Sequence, residues 1–108
     1  MLSLVKHAGD TAAFIQRLEH LIRNPPENSR VICFPSDISA YILEHYNVSN
    51  RPKKPAKIRS YARDMQSKTF GLTGDTIKFG WDGFLKDGQN RFSASVQSGC
   101  EFTTHVVF

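Results

Sequence analysis

Two Asp-Gly pairs five residues apart, Asp82-Gly83 and Asp87-Gly88, constrain what this chain can fold into more than any other feature. The first lies between Thr76-Ile77-Lys78-Phe79, which alternates in polarity, and the apolar Phe84-Leu85. Glycine supplies the positive φ that a tight turn between two strands requires, so this stretch reads as a β-hairpin. The second pair stands directly before a helical stretch from Gln89 to Ser98, with Phe92 and Val96 expected to face inward. Gly99 is placed as the stop of that helix.

Upstream of Gly71 the hydrophobic period is helical. Phe14, Ile15, Leu18, Leu21 and Ile22 form one apolar stripe on a helix over residues 10–24. Asp10 or Thr11 is the expected cap of that helix, and Asn24-Pro25-Pro26 its end. Val31-Ile32-Cys33-Phe34, bounded by Pro35, reads as a short buried strand. Ser36 or Asp37 then caps a second helix that turns Ile38, Tyr41, Ile42 and His45 or Tyr46 inward. A third helix starts near Pro55, whose missing N–H is not needed at the first helical position. It buries Ile58, Tyr61, Ala62 and Met65. Thr103 to Phe108 closes the chain as a strand. Helix, strand, helix, helix, hairpin, helix and strand in 108 residues make a small single-domain α+β fold.

Charge is unevenly placed. Between Arg51 and Phe70 lie Arg51, Lys53, Lys54, Lys57, Arg59, Arg63 and Lys68 against Asp64 alone, whereas the rest of the chain is slightly acidic. Such a local stripe is what a surface facing a polyanion looks like, and it is equally what a solvated helix face looks like. No apolar run approaches the roughly 18 residues of a membrane span. The first turns carry Lys6, His7 and Asp10 rather than a secretory leader, so a cytoplasmic protein is expected. Cys33 and Cys100 read as reduced core thiols rather than a disulfide framework. The four histidines, His7, His20, His45 and His105, show no zinc-type spacing. Turn and cap duties account for Asp75, Asp82 and Asp87 more simply than a metal does, so no metal is expected.

The stretch Gly74-Asp75-Thr76-Ile77-Lys78-Phe79, Asp82-Gly83, Leu85-Lys86-Asp87-Gly88-Gln89-Asn90-Arg91, Ala94 and Val96-Gln97-Ser98-Gly99 resembles the ParB/sulfiredoxin-like superfamily. Phage and bacterial members carry I-x-F, then D-G-x-L-x-D-G-Q-H-R-x-x-A-x-x-x-S-G. Asn50-Arg51-Pro52 and Tyr61-Ala62-Arg63-Asp64-Met65 match the helix that precedes the hairpin in those proteins. The resemblance covers residues 36–108, and residues 1–35, a helix and a short strand, carry none. It implies a ParB/sulfiredoxin-like fold with a pocket at the start of the helix after the D-G-Q-N-R turn. There Gly88, Gln89, Asn90 and Arg91 would face phosphate groups.

Physical chemistry points to the same turn independently. A helix start preceded by glycine gathers unpaired N–H groups and the positive end of a dipole at one place. Arg91 adds a forked donor matched to phosphate. Without the resemblance, the turn also admits a plainer account, a helix start capped by Asp87 with Arg91 paired to an acid. The departures from the family matter too. Gln89 stands where sulfiredoxins have their reactive cysteine, and Asn90 stands where the family has histidine. Of the glutamate and two arginines that serve CTP binding in ParB proteins, only Arg91 remains.

The expected function is therefore a phosphate-recognising module for DNA, RNA or a nucleotide, of phage or mobile-element type, without obvious catalysis. Arg51, Lys53, Lys54, Lys57, Arg59 and Arg63 form its expected basic surface. No cofactor is expected apart from a nucleotide at that turn. The alternative is an interaction factor that blocks a host protein or nucleoprotein complex, as anti-defence proteins do. A nuclease or nucleotide hydrolase ranks third, because neither a nucleophile nor a general base stands out. The sequence leaves the oligomeric state open.

Overall fold

The computed structural model describes residues 8–48, 50–72 and 75–108, with the side chains of residues 8–10 left aside. Its elements are α1 (Ala8–Arg23), β1 (Arg30–Phe34), α2 (Ser36–His45), α3 (Pro55–Gln66), β2 (Thr76–Phe79), β3 (Leu85–Asp87), α4 (Gln89–Ser98) and β4 (Phe102–Val107). The expected order of elements holds throughout. Lys6 and His7, read above as part of a non-secretory N-terminus, lie outside the described residues, as does Gly74.

The four strands form one sheet in the order β1-β4-β2-β3. β4 pairs antiparallel with β1, Ile32 opposite Thr104, and parallel with β2, Ile77 opposite Val106. Two parallel neighbours cannot be joined by a tight turn. The connection from β2 to β4 accordingly runs through β3 and α4, which is how the sheet carries α4 to its position. Ile32, Phe34, Ile77, Phe79, Phe102 and Val106 alternate inward along their strands and are buried. They meet Phe14 and Leu18 of α1, Ile38 and Ile42 of α2, Ile58, Ala62 and Met65 of α3, and Phe92 of α4 in one core. Phe34 is its hub, with its ring 5.0 Å from Phe92, 5.7 Å from Phe102 and 5.9 Å from Phe14. The first helix and strand, outside the stretch that carries the resemblance, thus complete the same core. Tyr46 adds a tie by donating a hydrogen bond to Glu19 of α1. Burial and that bond push its hydroxyl well above the usual phenol range.

Several local expectations are corrected. α1 begins at Ala8, so Asp10 and Thr11 fall inside it, and the Thr11 hydroxyl donates instead to Asp37 Oδ2 at 3.1 Å. Pro35, extended at φ −65° and ψ 157°, is the N-cap of α2, and Ser36 and Asp37 already belong to its first turn. α2 buries Ile38, Ser39 and Ile42, whereas Tyr41 is half-buried and His45 exposed. β1 is an edge strand with Ile32 and Phe34 inward, not a strand buried on both sides. Cys33 and Cys100 are half-buried thiols, and Cys33 Sγ donates to Glu101 Oε2 at 3.1 Å.

The largest correction concerns α4. Phe92 is buried as expected, but Val96 is 43% exposed. Arg91, Phe92, Ser93, Ala94 and Ser95 are buried in succession. A helix with five consecutive buried residues is covered on more than one side, and α4 packs against both α2 and α3 as well as the sheet. The small side chains of Ser93, Ala94 and Ser95 permit that close approach.

Candidate anion-binding cleft

β3 ends at Asp87, and Gly88 turns the chain into α4. Gly88 is the N-cap of the helix at φ 119°, so Asp87 is not the cap, and no described side chain closes the helix start. A Cβ on Gly88 would lie 2.1 Å from Ile77 Cδ1. Only glycine brings the backbone this close to β2 and bends it this way. The first turn, whose amides have no intrahelical acceptor, lines a cleft of about 410 Å³.

Arg51, Lys54, Lys57, Lys78, Lys86 and Arg91 line this cleft, together with the carboxylates Asp75 and Asp87. Cations outnumber acids three to one there, so the cleft carries a positive field that the helix dipole reinforces. Arg91 is only 8% exposed and donates from Nη2 to the Thr76 carbonyl at 2.9 Å, which fixes the guanidinium at the cleft wall. A guanidinium has five N–H donors, so one bond to β2 leaves capacity for a ligand. Tyr61 is half-buried; it packs on the core through Phe70 at 5.6 Å and also lines the cleft.

The other predicted turn residues have a different local use. The side-chain amides of Gln89 and Asn90 hold the loop between α2 and α3. Gln89 Nε2 donates to the Arg51 carbonyl, and Gln89 Oε1 accepts from Asn47 Nδ2 at 3.2 Å. Asn90 Oδ1 accepts from the Lys54 backbone N–H at 3.1 Å, just ahead of Pro55. Asn50 completes the set by donating to Asn47 Oδ1 at 2.5 Å and to the Leu85 carbonyl at 2.9 Å. These amides suspend Arg51 and Lys54 over the α4 start. Gln89 and Asn90 thus line the cleft while their side chains position its rim.

The basic stripe divides. Arg51, Lys54 and Lys57 reach the cleft, whereas Lys53, Arg59 and Arg63 are exposed and line none of it. Helical spacing explains the split. Lys57 and Tyr61 are four apart on one row of α3, and Arg59 and Arg63 are four apart on another. Lys78 and Lys86 were not singled out from the sequence. The signal for Lys78 was the alternation in Ile77-Lys78-Phe79, which turns it away from two buried neighbours, whereas Lys86 follows the buried Leu85 and precedes the exposed Asp87. Lys86 sits at a bulge, because Lys78 pairs with Asp87 and Phe79 with Leu85. A bulge leaves one residue unpaired and re-aims its side chain. Lys86 Nζ also meets Asp82 Oδ2 at 2.7 Å. That bond, with a second from the Phe84 N–H, holds the Asp82 carboxyl below the usual carboxylate range.

Among the described residues, no three His, Cys, Asp or Glu side chains come together as a metal-binding group. No described helix is long and apolar enough to cross a membrane. Compared with protein-family models, curated proteins and solved structures, the chain gives no match.

Proposed function

We propose that this protein is a phosphate-recognising binding module that takes nucleic acid or a nucleotide into the cleft at the start of α4. One observation carries the reading: six cations from the α2–α3 loop, α3, the hairpin and α4 converge where α4 leaves its first amides uncapped. Backbone amides accept phosphate oxygens in fixed directions, Arg91 offers a forked donor, and the lysines supply field without strict geometry. The motif resemblance to the ParB/sulfiredoxin-like superfamily supports the same site, since the hairpin, the Asp-Gly turn and the following helix stand in the family's order. We assign the fold to that superfamily on this ground, and place the protein in the cytosol, where such ligands are met. Binding dominated by phosphate contacts depends strongly on salt and weakly on sequence.

Thermal unfolding with nucleotides, short DNA and short RNA, with and without Mg²⁺, tests the reading. A ligand at about a hundred times its Kd raises Tm by roughly 10 °C in a domain of this size. The rise is lost in Arg91→Ala and reduced in Lys57→Gln, whose exposed side chain leaves the fold intact. No shift from any ligand, with wild type folded, contradicts the reading.

A second reading, a factor that docks on a host protein complex, is favoured by a separate feature. A groove of about 560 Å³ runs between α1 and the edge strand β1, its floor lined by Ala13, Leu21, Val31 and Ile32 and its rim by Gln16, Arg17, His20 and Arg30. In that case Arg91→Ala retains function and polar substitutions at Leu21 or Val31 abolish it.

A further inference from the structure

Trp81 stands at the tip of the β2–β3 hairpin and is 96% exposed. Tryptophan is among the more buried residue types on average, so a fully exposed one leaves a large aromatic face in water with nothing covering it. The turn that carries it is well fixed. Gly80 N donates to the Phe84 carbonyl at 2.8 Å, and Gly83 N donates to the Gly80 carbonyl at 2.9 Å. Asp82 accepts from the Phe84 N–H at 3.1 Å and from Lys86 at 2.7 Å. The indole is therefore presented from a rigid mount.

The same hairpin forms one wall of the cationic cleft through Lys78 and Lys86. Lys78 lies in β2, three residues before Trp81, which puts the two backbone positions at most about 11 Å apart. A strand of nucleic acid with phosphates held at the start of α4 and along Lys78 and Lys86 would run past the hairpin tip. We infer that the ligand of the cleft is a single-stranded polynucleotide, and that Trp81 is the platform on which one of its bases stacks. This rests on the phosphate-binding reading of the cleft.

Three features favour that ligand over others. Stacking on an aromatic side chain needs an unpaired base, since the bases of a duplex are already stacked on one another. An aromatic anchor for a protein partner sits at the centre of an apolar, charge-poor patch. In the turn that carries Trp81, Phe84 is the other exposed apolar side chain at 38%, and the charged Asp82 and Lys86 stand beside it as an ion pair. A mononucleotide contained in the cleft would leave the hairpin tip unused.

Trp81 is the only tryptophan in the chain, so its fluorescence reports on this residue alone. The experiment titrates the full chain at low salt with oligothymidylate, oligouridylate, an abasic oligomer of the same length and a duplex. Binding is followed in parallel by anisotropy of a labelled strand. The expected result is quenching of Trp81 by the two base-containing single strands, DNA or RNA, and binding of the abasic oligomer without quenching. Trp81→Ala weakens oligothymidylate by about 10-fold or more. It leaves the abasic oligomer unchanged, and Trp81→Phe restores part of the loss. Arg91-dependent binding with Trp81 emission unmoved, equal affinity for the Trp81→Ala variant, or quenching by the duplex as strong as by single strands overturns the inference while the cleft reading stands. Failure of every oligomer to bind the folded wild type overturns both.

Discussion

The two ends of α4 are both marked by glycine at positive φ, yet they are finished in opposite ways. At the C-terminal end, Gly99 at φ 69° closes the helix, and the polar groups around it find partners. Cys100 N donates to the Ser95 carbonyl at 3.2 Å, Ser95 Oγ donates to the Cys100 carbonyl at 2.6 Å, and Ser39 Oγ donates to Ser95 Oγ at 2.9 Å. At the N-terminal end, Gly88 at φ 119° is followed by a first turn that no described side chain caps and that contains no acid of its own, Asp87 lying just before it. Gln89 and Asn90 turn their side-chain amides to the α2–α3 loop. A closed end contributes to stability. An open end that faces six cations gives up that contribution, and the loss is intelligible if an anion completes it.

The comparison breaks most visibly at the glycines. Gly88→Ala forces a positive φ on alanine and drives its Cβ into the buried Ile77, so it should cost about 3 kcal/mol. Gly99→Ala meets nothing within 4 Å and should cost only about 1 kcal/mol. Urea unfolding of the two variants measures the difference, and equal losses would contradict it. Arg91→Ala should weaken phosphate-ligand binding by about 10- to 100-fold, with Arg91→Lys intermediate because it keeps charge and loses the fork. Ser95→Ala sharpens the contrast from the other end. It removes a buried donor and acceptor and should cost about 1–2 kcal/mol of stability, with ligand affinity unchanged in titration calorimetry. The smallest effect separates the two rows of α3. Lys57→Gln should lower the slope of log Kd against log salt by about 1, and Arg63→Gln should leave it unchanged.

Much of this was legible in the sequence where a local rule acts alone. Asp82-Gly83, Gly88, Gly99 and Pro55 each impose a backbone geometry on their own neighbourhood, and each stands where the structure turns or starts a helix. The alternation of β2 and the stripe of α3 follow equally from short-range period. What was not legible depends on partners far away in the chain. Val96 was expected inward because the amphipathic rule assumes one buried face, whereas α2 and α3 both press on α4 and bury its small Ser93-Ala94-Ser95 run instead. The amides of Gln89 and Asn90 were expected at a ligand, but their bonding is set by Arg51 and Lys54, more than thirty residues away. Lys86 joins the cleft at a bulge that no single-strand pattern announces, whereas Lys78 follows from the alternation of β2. Of the basic stripe, the loop places Arg51 and Lys54 at the cleft, and helix geometry brings in Lys57 and turns Arg59 and Arg63 away, which charge counting cannot distinguish.

The most direct test of the open end is a ¹H–¹⁵N correlation titration of the uniformly labelled protein with a short oligothymidylate at low salt. The account predicts that the amides of Gln89, Asn90 and Arg91 shift progressively to saturation, while those of Gly99 and Cys100 at the closed end stay in place. Saturable shifts elsewhere in the protein, with the Gln89–Arg91 amides unmoved, would contradict it.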